Sequence, residues 1–359
     1  MTKQLKFGVY TEMNAMPGVD TADSVWDVMR HIEQCDALGY DVFMVIEHYF
    51  FPTFGQSANP LALFSAAAQR TRNIRFRTLC HTLPLHEPTV LASEIATADV
   101  LTNGRLDLGF GRGHAWLYRK AGIPYEESAA RYDEAAQIIV KALSEESFSF
   151  HGKKYHLDDV SIFPRPVQKP TPPIYVTGTS GRSFRAAAER GWGISVGGPA
   201  PYMIFKDAMA EYRKACAEFG TTPVVSYIQP MHIDEDENRA QAQARATAAY
   251  FYHQVAKPIL CIDQAADRER LIAAGYGFYA GNAMNQMLEM THEQIEEMGL
   301  VWAGTPAQIK NRIIDFLDRE KLDEYAIQTL PRAPEVGFTF EDQQKVHELF
   351  AKKVMPELR

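Results

Sequence analysis

Glu47 and His48 arrive together at the end of the apolar run Val42-Phe43-Met44-Val45-Ile46, and three aromatic residues follow them. A carboxylate and an imidazole are costly to desolvate, so at the end of a buried strand they need partners or an opening to solvent. Histidine exchanges a proton near neutral pH, which makes His48 a candidate general acid or base. The plainer reading is a polar strand end satisfied by neighbouring backbone. Tyr49, Phe50, Phe51 and Phe54 could be core, but so many rings in one loop would also wall an apolar pocket. Glu47, Tyr49 and Phe54 are therefore expected beside a substrate.

A second candidate is Gly109-Phe110-Gly111-Arg112-Gly113-His114, where three glycines in five residues let backbone approach a flat ligand closely. Arg112 carries the forked donors that suit a phosphate. A tight turn with a surface arginine would use the same residues. The third candidate is Thr177-Gly178-Thr179-Ser180-Gly181-Arg182-Ser183. Small hydroxyl and glycine residues at a helix start expose unpaired N–H groups at the positive end of the dipole, which is a seat for an anion. Simple capping by Thr179 or Ser180 is the alternative. If the two segments end neighbouring strands, Arg112 and this cradle converge on one anion, and that convergence favours the phosphate reading.

Other signals are weaker. His81, His86, His151, His156, His232 and His253 show no HxxxH or mixed Cys/His spacing, so no metal site is expected. Glu94 and Asp99 read as structural pairs. No GxSxG nucleophile turn occurs.

The elements that must position these groups follow from periodicity. Unalternated or strand-like runs fall at Leu5–Tyr10, Val42–Ile46, Ile74–Leu83, Leu106–Phe110, Ile174–Thr177, Gly193–Val196, Val224–Ile228 and Glu324–Thr329. Runs of that kind fit strands covered on both faces, as in a parallel sheet wrapped by helices. Helical patterns separate them at Asp23–Leu38, Pro60–Arg70, Pro88–Asn103, Arg131–Leu143, Ser183–Arg190, Tyr202–Phe219, Glu235–Tyr252 and Pro306–Glu320. Asn59 before Pro60 and Gly104 after Asn103 are good start and stop signals. Eight strands alternating with helices predict an α/β chain of the (β/α)8 TIM-barrel class, with insertions after the fourth strand (about 147–173) and the seventh (about 257–302). The chain is read as one domain, 1–359. A doubly wound open sheet is the rival, but no glycine-rich dinucleotide turn follows the first strand. In a barrel the strand ends that carry all three candidates share one rim, where the chemistry is done.

Composition narrows the function classes. A formal charge of −8 without a Lys/Arg block gives no footprint for nucleic-acid binding. No apolar run approaches a membrane span, and the first residues lack a signal-peptide pattern. Cys35, Cys80, Cys216 and Cys261 are far apart and form no CxxC pair, so they are expected as reduced thiols in a cytoplasmic protein.

Along nearly its whole length the chain resembles the bacterial luciferase-like flavin-dependent monooxygenases. The resemblance runs through Phe7-Gly8, Leu38-Gly39-Tyr40-Asp41, Glu47-His48-Tyr49-Phe50, Asn59-Pro60, Leu83-Pro84 and Pro88. It continues through Asn103-Gly104-Arg105-Leu106, Gly109, Gly111-Arg112-Gly113, Ala188-Glu189-Arg190-Gly191 and Gly304-Thr305-Pro306. It implies a barrel that takes reduced FMN from a separate flavin reductase, adds O2 at the flavin 4a carbon, and oxygenates an aldehyde, ketone or other small or medium apolar organic substrate. By this resemblance His48 is catalytic, as an acid or base toward the oxygen adduct. Arg112, Thr179, Ser180 and Ser183 fall on the phosphate contacts, and the ring lies near Leu79, Cys80, Gly111, His114 and Thr177. A cis peptide at Leu79-Cys80, a mobile lid over 257–302 and a homodimer are also implied. The family's reactive cysteine is replaced here by Gly111 and its phosphate-loop glutamate by Thr179, which puts light emission in doubt. The same fold also carries FMN- or deazaflavin-dependent dehydrogenases and non-catalytic flavin-binding proteins. Oxygen uptake coupled to substrate oxidation would separate them.

Overall fold

The computed structural model describes residues 4–16, 18–198, 200–255, 257, 262, 264–280, 286–333 and 337–359. Its eight main strands are β1 Lys6–Thr11, β2 Val42–Val45, β3 Arg75–Thr78, β4 Leu106–Gly111, β5 Ile174–Thr177, β6 Gly193–Gly197, β7 Val225–Ile233 and β8 Glu324–Gln328. Each pairs in parallel with the next, and β8 returns to pair with β1, so the sheet closes. Every apolar run expected to be a strand is one. The third is broken, because Arg75–Thr78 is followed by a two-residue strand, His81–Thr82, that pairs with the end of β4.

Closure sorts the side chains by parity. Phe43 and Val45 pack with Phe7, Val9, Leu91 and Ile95, under the helices. Val42, Met44 and Ile46 pack instead with Tyr10, Ile228 and Ala326, which come from other strands and so fill the interior. Across that interior Arg77 makes a two-pronged bond to Glu324 at 2.7 and 3.0 Å and a third bond to Asp107 at 3.1 Å. Its guanidinium also lies 3.5 Å from the centre of the Tyr175 ring. This brace ties β3, β4, β5 and β8 together.

The helices in chain order are α1 Thr21–Ala37, α2 Pro60–Ala68, α3 Pro88–Leu101, α4 Ala115–Ala121, α5 Ser128–Ser144, α6 Gly181–Glu189, α7 Tyr202–Phe219, α8 Glu237–Tyr250, α9 Gln264–Ala273, α10 His292–Glu297, α11 Pro306–Arg319 and α12 Phe340–Lys353. Asn59 caps α2 through Ala62 N–H, with Pro60 in the first turn, as its spacing predicts. The short α4 and the terminal α12 were not among the expected helices. The expected insertion after β4 holds a hairpin, with Phe148–His151 antiparallel to His156–Val160. After β7 the chain leaves the barrel and returns at Trp302–Gly304, which pairs with the far end of β7. The lid expected over 257–302 is described only in part. Cys261 lies outside the described residues, while Cys35, Cys80 and Cys216 are free thiols. Among the described residues no helix is long and apolar enough to cross a membrane.

Candidate active site at the barrel mouth

The end of β2 delivers His48 into an aromatic enclosure. It is 1% exposed. Its ring stacks on that of Phe54, with centres 4.4 Å apart. The loop is pinned back on the strand by Ser57, whose hydroxyl donates to the Ile46 carbonyl and whose own carbonyl accepts from His48 N–H. Trp116, in the first turn of α4, donates its indole N–H to Nε2 of His48 at 3.1 Å. The other ring nitrogen, Nδ1, is buried and finds no partner among the described residues. Burial above all, then the neighbouring His114, brings the His48 pKa down to about 2 against the pull of Glu47. The imidazole is therefore neutral throughout the physiological range.

His114 lies flat on Trp116, with ring centres 4.1 Å apart and planes 7° from parallel, and its Nδ1 is 2.8 Å from the Tyr279 hydroxyl. Burial lowers its pKa to about 4.

Cys80, Gly111 and Thr177 meet at the ends of neighbouring strands. The Leu79-Cys80 peptide is cis, as the resemblance implies. A Cβ built on Gly111 would lie 2.1 Å from Sγ of Cys80 and 2.8 Å from Oγ1 of Thr177. Only glycine there leaves room for the thiol. Burial pushes that thiol up to about 12, so it is protonated and poorly nucleophilic.

The anion seat differs from the expectation. β4 and β5 do end side by side, in register at Phe110 and Val176. The guanidinium of Arg112, however, turns to the end of α9. It donates to the carbonyls of Ala274 at 2.7 Å and Gly275 at 3.2 Å and stacks over Tyr276. Two orphan carbonyls at a helix C-terminus attract it for the same electrostatic reason that a phosphate would. Among the described residues Arg112 makes no hydrogen bond to Thr179, Ser180 or Ser183. Ser180 takes up the capping role, its hydroxyl accepting from Ser183 N–H at the start of α6.

Glu47 is likewise committed elsewhere. Its carboxylate binds His81 Nδ1 at 2.7 Å, His86 Nε2 at 2.8 Å and the Thr82 N–H at 3.0 Å. Burial raises its pKa, but the bonds from the two imidazoles more than offset this and hold it at about 2. Glu47 therefore clamps the β2 end to the His81–His86 segment instead of offering a free carboxylate to a substrate. Tyr49 is only half-buried beside it, its ring 6.3 Å from His86. The ligand-type atoms of Glu47, His81 and His86 lie within 4.8 Å of one another. Their 2.7–2.8 Å spacings are hydrogen-bond lengths, shorter than the ~3.3 Å separating two donors on a tetrahedral zinc. Spacing along the chain hides such a cluster, because it joins the ends of two strands.

Glu12 was missed outright. It continues the interior parity of Gly8 and Tyr10, is 3% exposed, and takes only long bonds of 3.4 Å from Tyr10 and Asn14. Burial raises its carboxyl to about 8, against those two bonds. That parity is the signal that could have found it.

Comparison with known proteins places this geometry. A family model described as luciferase-like monooxygenase matches residues 5–320. An uncharacterized protein of Sinorhizobium fredii, y4wF, is 33% identical over 56% of this chain, and the match spans only 58% of that relative. Among solved structures, the monooxygenase RslO1 from Streptomyces bottropensis is similar over 99% of this chain and 100% of its own, with TM-score 0.80 and 24% identity. The oxygenating constituent of 3,6-diketocamphane monooxygenase from Pseudomonas putida, solved in complex with FMN, is similar over 99% of both chains, with TM-score 0.74 and 20% identity. At these identities the two structures establish the closed barrel.

Proposed function

This chain belongs to the luciferase-like monooxygenase family and is an oxidoreductase, and from that premise we propose that it is an FMN-dependent oxygenase acting on a small or medium apolar carbonyl compound. One observation carries the reading. The mouth holds a neutral imidazole boxed by Phe54, Trp116 and His114, and Cys80, Gly111 and Thr177, which pack closely together at neighbouring strand ends, line the groove for the ring in this reading. A flat cofactor fits beside Gly111, where backbone replaces side chain, and an apolar substrate fits among the rings.

In this reading Leu79, Cys80, Gly111 and Thr177 border the flavin ring. Thr179, Ser180, Ser183 and the free N–H groups at the start of α6 hold its phosphate. Arg112, held by the carbonyls of Ala274 and Gly275, adds its charge beside them. Reduced FMN supplies the electrons that activate O2. The protein's part is to bind, orient and exclude water, with His48 presenting its ring N–H to oxygen in the enclosure. A separate flavin reductase, a homodimer and a cytoplasmic location complete the proposal. The exposed Val90, Val100 and Leu101 of α3 offer an apolar face for a second copy.

The test is to titrate the protein with FMN and with a deazaflavin, then follow O2 uptake with reduced FMN and a panel of aldehydes and ketones. FMN binding with O2 uptake that depends on the carbonyl compound supports the reading. Preference for the deazaflavin, or hydride transfer indifferent to O2, replaces it with the dehydrogenase alternative.

A further inference from the structure

The same mouth carries an instruction about which ring nitrogen of His48 holds the proton. An indole N–H can only donate, so Nε2, 3.1 Å from Nε1 of Trp116, must present its lone pair. A buried neutral imidazole then carries its single proton on Nδ1. That Nδ1–H is enclosed and has no acceptor among the described residues. Buried donors in folded proteins are paired with few exceptions, and an unpaired one marks a place for an acceptor.

Resting on the oxygenase reading above, we infer that Trp116 is a positioning residue that fixes His48 as its Nδ1–H tautomer, so that His48 is a neutral hydrogen-bond donor to an oxygen of the bound compound and not a proton shuttle. The site thereby selects ligands with an acceptor oxygen, a carbonyl above all, over hydrocarbons of the same size.

The indole is held for this task on every side. His114 lies parallel to it at 4.1 Å, and Phe54 and Tyr279 meet it edge-on at 5.3 and 5.7 Å. The titratable groups acting on His48 are His114, itself kept neutral by burial, and Glu47, whose charge is taken up by His81 and His86. Neither hydrogen-bonds His48 in place of Trp116. No proton need leave His48 during turnover: the N–H polarises the oxygen and stays on the ring. Removing one such preorganised donor typically costs ~10²–10³-fold in turnover.

Two measurements test this. The first is nitrogen-15 NMR of the histidines in the ligand-free protein, with His48 assigned by its loss in His48→Asn. The expected result is protonated Nδ1 and bare Nε2, unchanged from pH 5 to pH 9. In Trp116→Phe the tautomers should mix and the ring should begin to titrate. A protonated Nε2 in the wild-type protein overturns the inference while leaving the oxygenase reading untouched.

The second compares His48→Asn with His48→Gln. The asparagine amide reaches the position of Nδ1 and the glutamine amide that of Nε2. His48→Asn should keep at least tenfold more kcat than His48→Gln, each with FMN affinity near wild type. The reverse order, or a kcat profile that titrates with the His48 signal, sinks the donor role even if Trp116→Phe fails to fold.

Discussion

Gly111→Ala asks how tightly the flavin-side wall is built. The new methyl would stand 2.1 Å from Sγ of Cys80 and 2.8 Å from Oγ1 of Thr177. Favourable contacts begin at ~3.5 Å, so the sulfur must retreat by about 1.5 Å. Overpacking of this kind costs about 1–3 kcal/mol. Cys80→Ala removes the sulfur and leaves Cβ of residue 80 at 3.3 Å and the rotatable Thr177 hydroxyl as the nearest neighbours. In that background Gly111→Ala should cost less than in the wild type, giving a coupling energy of ~0.5–3 kcal/mol in the double-mutant cycle. Urea unfolding of the four proteins measures it, with m values compared to confirm a common unfolding transition. If Gly111→Ala costs the same with and without the sulfur, residues 80 and 111 do not share the space claimed for them, and the groove must be redrawn.

The remaining predictions probe the buried charges. Glu12 has its pKa raised to about 8 in the fold, so its contribution to stability is fully present below its unfolded value and is lost as pH rises from ~4.5 through 8. Glu12→Gln removes that slope. It should gain on the wild type between pH 6 and pH 9 in stability from denaturant unfolding, by about 3 kcal/mol at most, and parallel curves would show that Glu12 ionises as in water. His86 is raised by its bond to Glu47 after burial has lowered it, so it adds stability below its unfolded pKa and loses it as pH rises through the folded one. His86→Leu should cost ~1.5–3 kcal/mol at pH 5.5 and less at pH 8.5, and an equal cost at both would contradict the charged pairing. Arg77→Met leaves Glu324 buried without its cation, while Asp107 keeps Arg75 at 2.6 Å, and it should cost ~3–5 kcal/mol in urea unfolding. Adding Glu324→Gln should recover part of that loss; a neutral Arg77→Met would mean the brace holds nothing.

The elements of this protein are encoded locally. Five unalternated apolar residues from Val42 to Ile46 can be buried on both faces only in a wrapped strand, and Asn59-Pro60 can start a helix whatever lies around it. The ends of those strands, and with them His48, Gly111 and Thr177, were accordingly placed on one rim from the sequence alone. What each side chain does at the rim was decided only when the barrel closed. Trp116 bonds His48 from 68 residues away, Glu47 bonds His86 from 39, and Arg112 bonds Ala274 from 162. A hydrogen-bonding group takes the nearest strong partner in space, and strand order says nothing about which of several candidates that will be. Arg112 found helix-end carbonyls before it found a phosphate, and Glu47 found two imidazoles before it found a substrate. Periodicity and capping fix where the backbone goes, because they act over one turn or one pleat; tautomers, ion pairs and raised carboxyl pKa values depend on desolvation, which exists only in the assembled fold.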